Sequence, residues 1–182
     1  MLAMPLCPGR MADDQGEMLD LVDENDRVVG TVRRGAVHGN PGLRHRAVHV
    51  FVRSRGGEIF LQKRAAGKLV APGKWDTSVG GHLAAGQSYE EAARREMEEE
   101  LGISGEAMPS LRHSHDYVWQ NEVETEHIRT FIAEAEGPFE LNSAEIEEGR
   151  FWAVEELRRA LGTGVLSPNL ETELGYLGIR RS

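Results

Sequence analysis

GHLAAGQSYEEAARREMEEELGI, residues 81–103, is the stretch on which the reading of this chain turns. Ser88 and Glu91 stand three apart ahead of an apolar-periodic run, the spacing of a capping box in which each side chain takes a free backbone N–H of the other. Gly102 follows where a left-handed C-cap belongs. The spacing therefore predicts a helix over 89–101. On it Ala92, Ala93, Met97 and Leu101 form the packed side, while Glu96, Glu99 and Glu100, three and four residues apart, share another face. Arg95 is placed to brace these acids by a bidentate ion pair. Carboxylate oxygens with room for water suit a hard cation such as Mg²⁺. Glu98, Glu99 and Glu100 also crowd the last turn, where the helix dipole favours cations, and a broken local rule of this kind points to function. A solvated acidic face is the plain alternative. Exposed like charges at this spacing cost only about 0.2–0.5 kcal/mol per pair. A partly buried pair about 4 Å apart repels by roughly 4 kcal/mol at an effective dielectric of 20, and then requires a divalent cation or a proton.

Upstream of this helix the pattern is extended. MLDLVD and VVGTVR flank the turn Glu24-Asn25-Asp26, and 35–43, with Gly39, Pro41 and Gly42, reads as a loop. HRAVHVFVR, 45–53, alternates with period two: Ala47, His49 and Phe51 on one face, Val48, Val50 and Val52 on the other. Arg55-Gly56-Gly57 supplies hairpin chemistry before EIFLQKR, and WDTSV reads as a short strand after a Gly/Pro-containing stretch. Downstream, 110–119 and 127–135 read as strands joined by the acidic connection QNEVETE. RFWAV leads into a helix, AVEELRRAL, and NLETELGYLG forms a terminal one.

At 182 residues, 40% apolar and 28% charged, the chain has the composition of one globular domain. Residues 1–17 read as a mobile tail and 18–182 as the domain. A net charge of -9 without a Lys/Arg block argues against a nucleic-acid polymer as partner, so an anionic metabolite would need local cations or metal ions. Cys7 is the lone cysteine, which excludes an internal disulfide or a cysteine metal cluster and fits a reducing, cytoplasmic setting. No run of 18 apolar residues suggests a membrane span.

The central segment resembles the Nudix box, Gly-x5-Glu-x7-Arg-Glu-U-x-Glu-Glu-x-Gly-U, where U is a bulky apolar residue. Gly81, Arg95, Glu96, Met97, Glu99, Glu100, Gly102 and Ile103 match it in register. Gln87 stands where the first Glu belongs, which touches a secondary interaction and leaves the acidic cluster whole. The resemblance implies a three-layer α/β/α sandwich with a mixed central sheet. It implies Mg²⁺, with Mn²⁺ as alternative, on Glu96, Glu99 and Glu100, and Arg95 orienting these carboxylates. It further implies a small phosphorylated metabolite, a nucleotide above all, as substrate of a monomer or homodimer. Catalysis would fall to Arg95, Glu99 and Glu100, with Gly81 beside the substrate. Glu99, Glu100, Glu122, Glu124 and Glu126 are the candidates for the base.

A wider stretch, 43–52 and 59–89, is similar to type I isopentenyl-diphosphate isomerase, which holds a metal with three histidines and two glutamates. His38, His45, His82, Glu124 and Glu126 match that set, which implies a second metal site suited to Zn²⁺ or Mn²⁺. Arg64 and Lys68 match positions that grip the diphosphate. The isomerase's cysteine falls at Gly80, whose side chain can move no proton, and Cys7 lies in the expected tail. The chain is thus identified as an isomerase-like Nudix hydrolase acting on a nucleoside di- or triphosphate or another diphosphate-linked metabolite. An isomerase and a non-catalytic nucleotide-binding module are the alternatives. His49, His113, His115 and His127 read as packed or surface residues. Trp75, Trp119 and Trp152 read as core or pocket walls, with Trp119 a candidate to stack on a base.

Overall fold

The computed structural model describes residues 15–68 and 70–181, so the expected tail lies outside the described residues up to residue 14. Glu17 is already buried and pairs with Arg34 at 3.4 Å. The elements in chain order are β1 (Met18–Val22), β2 (Val28–Arg33), a single helical turn α1 (Arg34–Val37), β3 (His45–Arg53), β4 (Ile59–Arg64), β5 (Trp75–Asp76) and β6 (Val79–His82). The helix α2 (Tyr89–Leu101) follows, then β7 (Arg112–Gln120), β8 (Thr125–Glu134), β9 (Ile146–Trp152), α3 (Val154–Ala160) and α4 (Pro168–Tyr176). The strands form one mixed sheet: β3 runs parallel to β8 and antiparallel to β1, β4 and β6.

The alternation in β3 explains the layering. Val48, Val50 and Val52 pack with Val79, Ala92, Ala93, Met97 and Leu101 beneath α2. Phe51 lies on the opposite face with Ile59, Leu61, Leu157, Leu170 and Leu174 beneath α3 and α4. The sheet is therefore covered on both sides, the three-layer α/β/α sandwich that the resemblance implied. Each apolar side chain buried in such a strand contributes about 1.5–3 kcal/mol. His45 and His49 forgo that gain in the middle of the sheet, and both are buried.

The box helix forms as its caps dictate. The reciprocal Ser88–Glu91 bonds are present, and Gly102 takes φ 69°, a conformation that costs glycine nothing. Three local expectations need correction. The loop expected over 35–43 opens with α1, whose Val37 is fully buried. The strand over 127–135 begins earlier, at Thr125, so Glu126 belongs to β8 and not to the connection. WDTSV is not one strand: it breaks at Thr77-Ser78. The break has a use. β3 and β4 are paired only at Arg53 and Ile59, and Ser78 replaces the missing ladder by accepting from Val52 N–H at 2.7 Å and donating to the Phe60 carbonyl. Beyond it, β6 does not pair with β4. The Glu100 carboxylate lies between them, accepting from Gln62 Nε2 at 2.9 Å and from Gly80 N–H at 3.3 Å.

Candidate active site

The helix α2 is buried on two sides: Ala92, Ala93, Met97 and Leu101 face the core, and Glu96 and Glu100 are buried as well. Glu99 stays exposed. Arg95 ties together two of the three acids expected, donating from Nη1 to Glu96 at 2.7 Å and to Glu99 at 3.2 Å, and from Nη2 to the His82 carbonyl at 2.9 Å, while Glu100 is held instead by Gln62 and Gly80. Gln87 accepts from the same Nη2 at 3.3 Å, so the departure from the box pattern keeps the hydrogen bond and loses a charge. Gly81 is set by contact. A Cβ there would stand 2.1 Å from Glu96 Oε1 and 2.2 Å from its Cδ, so only glycine lets the carboxylate lie against β6. Burial, together with Glu99, pushes Glu96 up to about 7 despite Arg95. Burial, with Glu96 and Glu145 nearby, holds Glu100 well above the usual carboxylate range. Two acids in so dry a place resist carrying two charges without a cation.

These acids line a cavity of about 350 Å³ on whose other walls lie Arg64, Lys68, Asp76 and Glu145. Arg64 is fixed by Asp76 at 3.2 Å and by the Val70 carbonyl at 2.8 Å, and Lys68 Nζ lies 3.6 Å from Glu145. The rim is thus built from opposed charges on β4, β5, the connection that follows β4 and the one that precedes β9. Trp119 lines the same cavity, whereas Trp75 and Trp152 meet edge to face at 5.1 Å in the core beneath α3 and α4.

The histidine–glutamate set converges. Parallel pairing puts His45 opposite Glu126, and β6 brings His82 alongside. Ligand atoms of His45, His82, Glu124 and Glu126 lie within 4.8 Å of one another. His82 Nε2 meets Glu126 at 3.0 Å, and His38 Nδ1 meets Glu124 at 3.2 Å. His82 Nδ1 is buried without a hydrogen-bond partner among the described residues, and the buried His45 Nε2 has Glu126 at a long 3.5 Å. Burial lowers His82, which favours the neutral ring a metal needs. Burial opposes charge on Glu126, yet bonds from His45 and His82 hold it well below the usual range. Glu122, also considered as a base, is exposed and does not line the cavity.

A family profile described as NUDIX domain matches residues 43–170. The chain belongs to the Nudix family. It is similar to an uncharacterized Nudix hydrolase of Streptomyces coelicolor, 55% identical over 95 residues, 52% of each chain. It is also similar to an isopentenyl-diphosphate Delta-isomerase of Streptomyces avermitilis, 35% identical over 77% of this chain and 73% of that one. A crystal structure from Deinococcus radiodurans superposes with a TM-score of 0.74 at 28% identity, covering 87% of this chain and 98% of the other. As a Nudix hydrolase the protein belongs to the pyrophosphohydrolases, enzymes that act on small phosphorylated substrates and generally use divalent metals such as Mg²⁺. No helix among the described residues is long and apolar enough to cross a membrane.

The isomerase comparison makes Gly80 informative. In this Nudix hydrolase a Cβ at Gly80 would lie 3.0 Å from His49 Cδ2, so the imidazole occupies ground that a larger residue would contest. His49, expected to be an ordinary packed or surface residue, is buried yet lines the cavity, with Nδ1 2.7 Å from Glu173. Thr130 Oγ1 donates to the same carboxylate at 2.5 Å, and His115 Nε2 lies 3.7 Å from it. His115 thus joins a buried network, while His113 is exposed and pairs with Asp116. One signal for this network was available: Glu173 occupies a core-spaced position beside Leu170 and Leu174, where an unpartnered charge does not belong.

Proposed function

We propose that this chain hydrolyses a diphosphate bond in a nucleoside di- or triphosphate, or in a metabolite that joins a diphosphate to another moiety, with Mg²⁺ held by Glu96, Glu99 and Glu100. The observation that carries the reading is the meeting of these carboxylates with Arg64 and Lys68 on the walls of one cavity. The donor set fits a hard dication, because of the two buried acids only Glu96 has a guanidinium beside it, Glu100 has none, and the proton affinities of both are raised. When bound, the metal supplies charge neutralisation at the diphosphate and a more acidic water. The chain's own residues do the rest. Arg95 fixes Glu96 and Glu99, Gly81 leaves room for Glu96, and Lys68 and Arg64 offer the positive field that an acidic protein otherwise lacks. Glu124 and Glu126 are engaged with histidines, which leaves Glu99 and Glu100 to take the proton from the attacking water.

A panel of nucleotides, nucleotide sugars, dinucleoside polyphosphates and isopentenyl diphosphate, scored for phosphate release with Mg²⁺ and with chelator, tests the proposal. Metal-dependent release from a nucleotide is the expected result. Allylic product from isopentenyl diphosphate would install the isomerase instead, and nucleotide binding without turnover would leave a binding module.

Linkage gives a further prediction. A carboxyl whose folded pKa is raised favours the folded state while protonated, so its contribution is greatest below the ordinary value of 4.5 and is lost as pH climbs through about 7. Metal-free protein is expected to lose melting temperature between pH 5 and 8. Mg²⁺ at a hundred times its Kd should restore on the order of 5–10 °C, more at pH 8 than at pH 5. A melting temperature indifferent to both pH and Mg²⁺ would remove the cluster from metal binding.

The unpartnered His82 Nδ1, and the convergence of His45, His82, Glu124 and Glu126 with His45 Nε2 only 3.5 Å from Glu126, favour a second reading beside the first, a Zn²⁺ or Mn²⁺ at these four residues, with His38 at its edge. Elemental analysis of protein purified without chelator is expected to find this metal, and His45→Ala to lose it. Equal metal content in both proteins would refute the site.

A further inference from the structure

The cavity has an inner end that the metal cluster does not use. A row of residues crosses four strands there: Gly80 on β6, His49 on β3, Thr130 on β8 and His115 on β7. Glu173 reaches down from α4 to this row and is fully buried. A buried carboxylate demands a cationic partner, and His49 is the group bonded to it. Burial opposes charge on His49, but Glu173 outweighs it and raises the imidazole to about 9. Both ring nitrogens then carry hydrogens. Nδ1 is spent on Glu173. Nε2 has no hydrogen-bond partner among the described residues, and it lies 3.3 Å from where a Cβ of Gly80 would stand, so the missing side chain leaves it open to the cavity.

A second donor stands at the same end. The Tyr117 hydroxyl donates to Asn169 Oδ1, which leaves the amide hydrogens of Asn169 for the cavity that this residue lines. A hydrocarbon chain lodged here would strip water from both donors and give nothing back, a penalty of about 1–3 kcal/mol for each. An oxygen-bearing group would satisfy them.

We propose that His49 is a specificity-determining residue whose Nε2–H bonds an oxygen on the moiety attached to the diphosphate, so that the cavity takes sugar or nucleoside moieties in preference to a plain hydrocarbon chain. The inference rests on the proposed hydrolase function and refines its substrate class. Glu173 is a positioning residue: it orients the ring and keeps it charged.

The test compares kcat/KM for a nucleoside diphosphate with that for isopentenyl diphosphate in three proteins. These are the wild type, His49→Gln, and the double variant His49→Leu with Glu173→Gln, which leaves no buried charge unpaired. The ratio is expected to fall at least tenfold in the double variant, chiefly through KM for the nucleotide, and to stay within threefold of wild type in His49→Gln, which keeps a donor. An unchanged ratio, or a loss in His49→Gln as deep as in the double variant, overturns the proposal. Should the double variant not fold, imidazole ¹H–¹⁵N spectra of the wild type decide. The His49 Nε2 signal should move on titration with an α,β-methylene nucleoside diphosphate, and a signal that stays put overturns the contact. A wild type that turns over none of these substrates ends the hydrolase reading separately. The Kd of the methylene analogue, expected to rise tenfold in the double variant, then still judges His49.

Discussion

Glu100→Gln is expected to lower kcat by about three orders of magnitude while the fold persists. The size follows from the several kcal/mol of charge stabilisation that a metal-held diphosphate receives in the transition state. Persistence of the fold follows from the surroundings of Glu100. Gln62 Nε2 and Gly80 N–H both donate to one of its oxygens, and the amide oxygen of glutamine can accept both bonds. The substitution also removes repulsion from Glu96 and Glu145, which push the Glu100 carboxyl up. Metal-free melting temperature should therefore stay level or rise, while the gain on adding Mg²⁺ shrinks. That opposite movement of stability and activity separates a functional carboxylate from a structural one. Near-normal kcat would refute the role given to Glu100.

Gly81→Ala is expected to cut kcat/KM by at least a hundredfold, although a methyl group is all it adds. The added Cβ would fall 2.1 Å from Glu96 Oε1, well inside contact distance. The atom in its way ends a flexible side chain, so the carboxylate can swing aside and the loss of stability should stay near 1–3 kcal/mol, the usual range for an overpacked site. What moves is one of the two carboxylates that Arg95 holds, and its 2.7 Å bond to Nη1 would be broken. A misplacement of about 1 Å at a catalytic constellation costs on the order of a hundredfold. Steady-state kinetics beside a thermal melt measures both. Wild-type kcat/KM in a stably folded Gly81→Ala protein would show that Glu96 does not need its place against β6.

Much of the site was legible in the chain because its parts are local. Ser88, Glu91 and Gly102 bound one helix, and a period of 3.6 residues per turn sets Glu96 beside Glu99 and Glu100, and Glu99 one turn from Arg95, whatever the rest of the fold does. Alternation in 45–53 likewise placed Val48, Val50 and Val52 against α2 and Phe51 on the other face. The misreadings share a cause. WDTSV has the composition of a continuous strand, and the break at Ser78 arises because its hydroxyl is needed to join β3 to β4, a demand from strands outside the segment. His49 read as an ordinary polar residue because its partner, Glu173, lies 124 positions further on.

By itself the sequence determined the box helix, its caps, its acidic face and the two-sided burial of β3, whereas the closeness of Gly81 to Glu96 came from the packing of β6 against α2. Tertiary structure decided that β3 pairs parallel with β8, which sets His45 opposite Glu126 and His49 opposite Thr130, and that α4 delivers Glu173 to that row. The physical reason is the range of the forces that fix geometry. Helical spacing is set by the backbone over a few residues, whereas the register between distant strands is settled when two apolar faces pack at once.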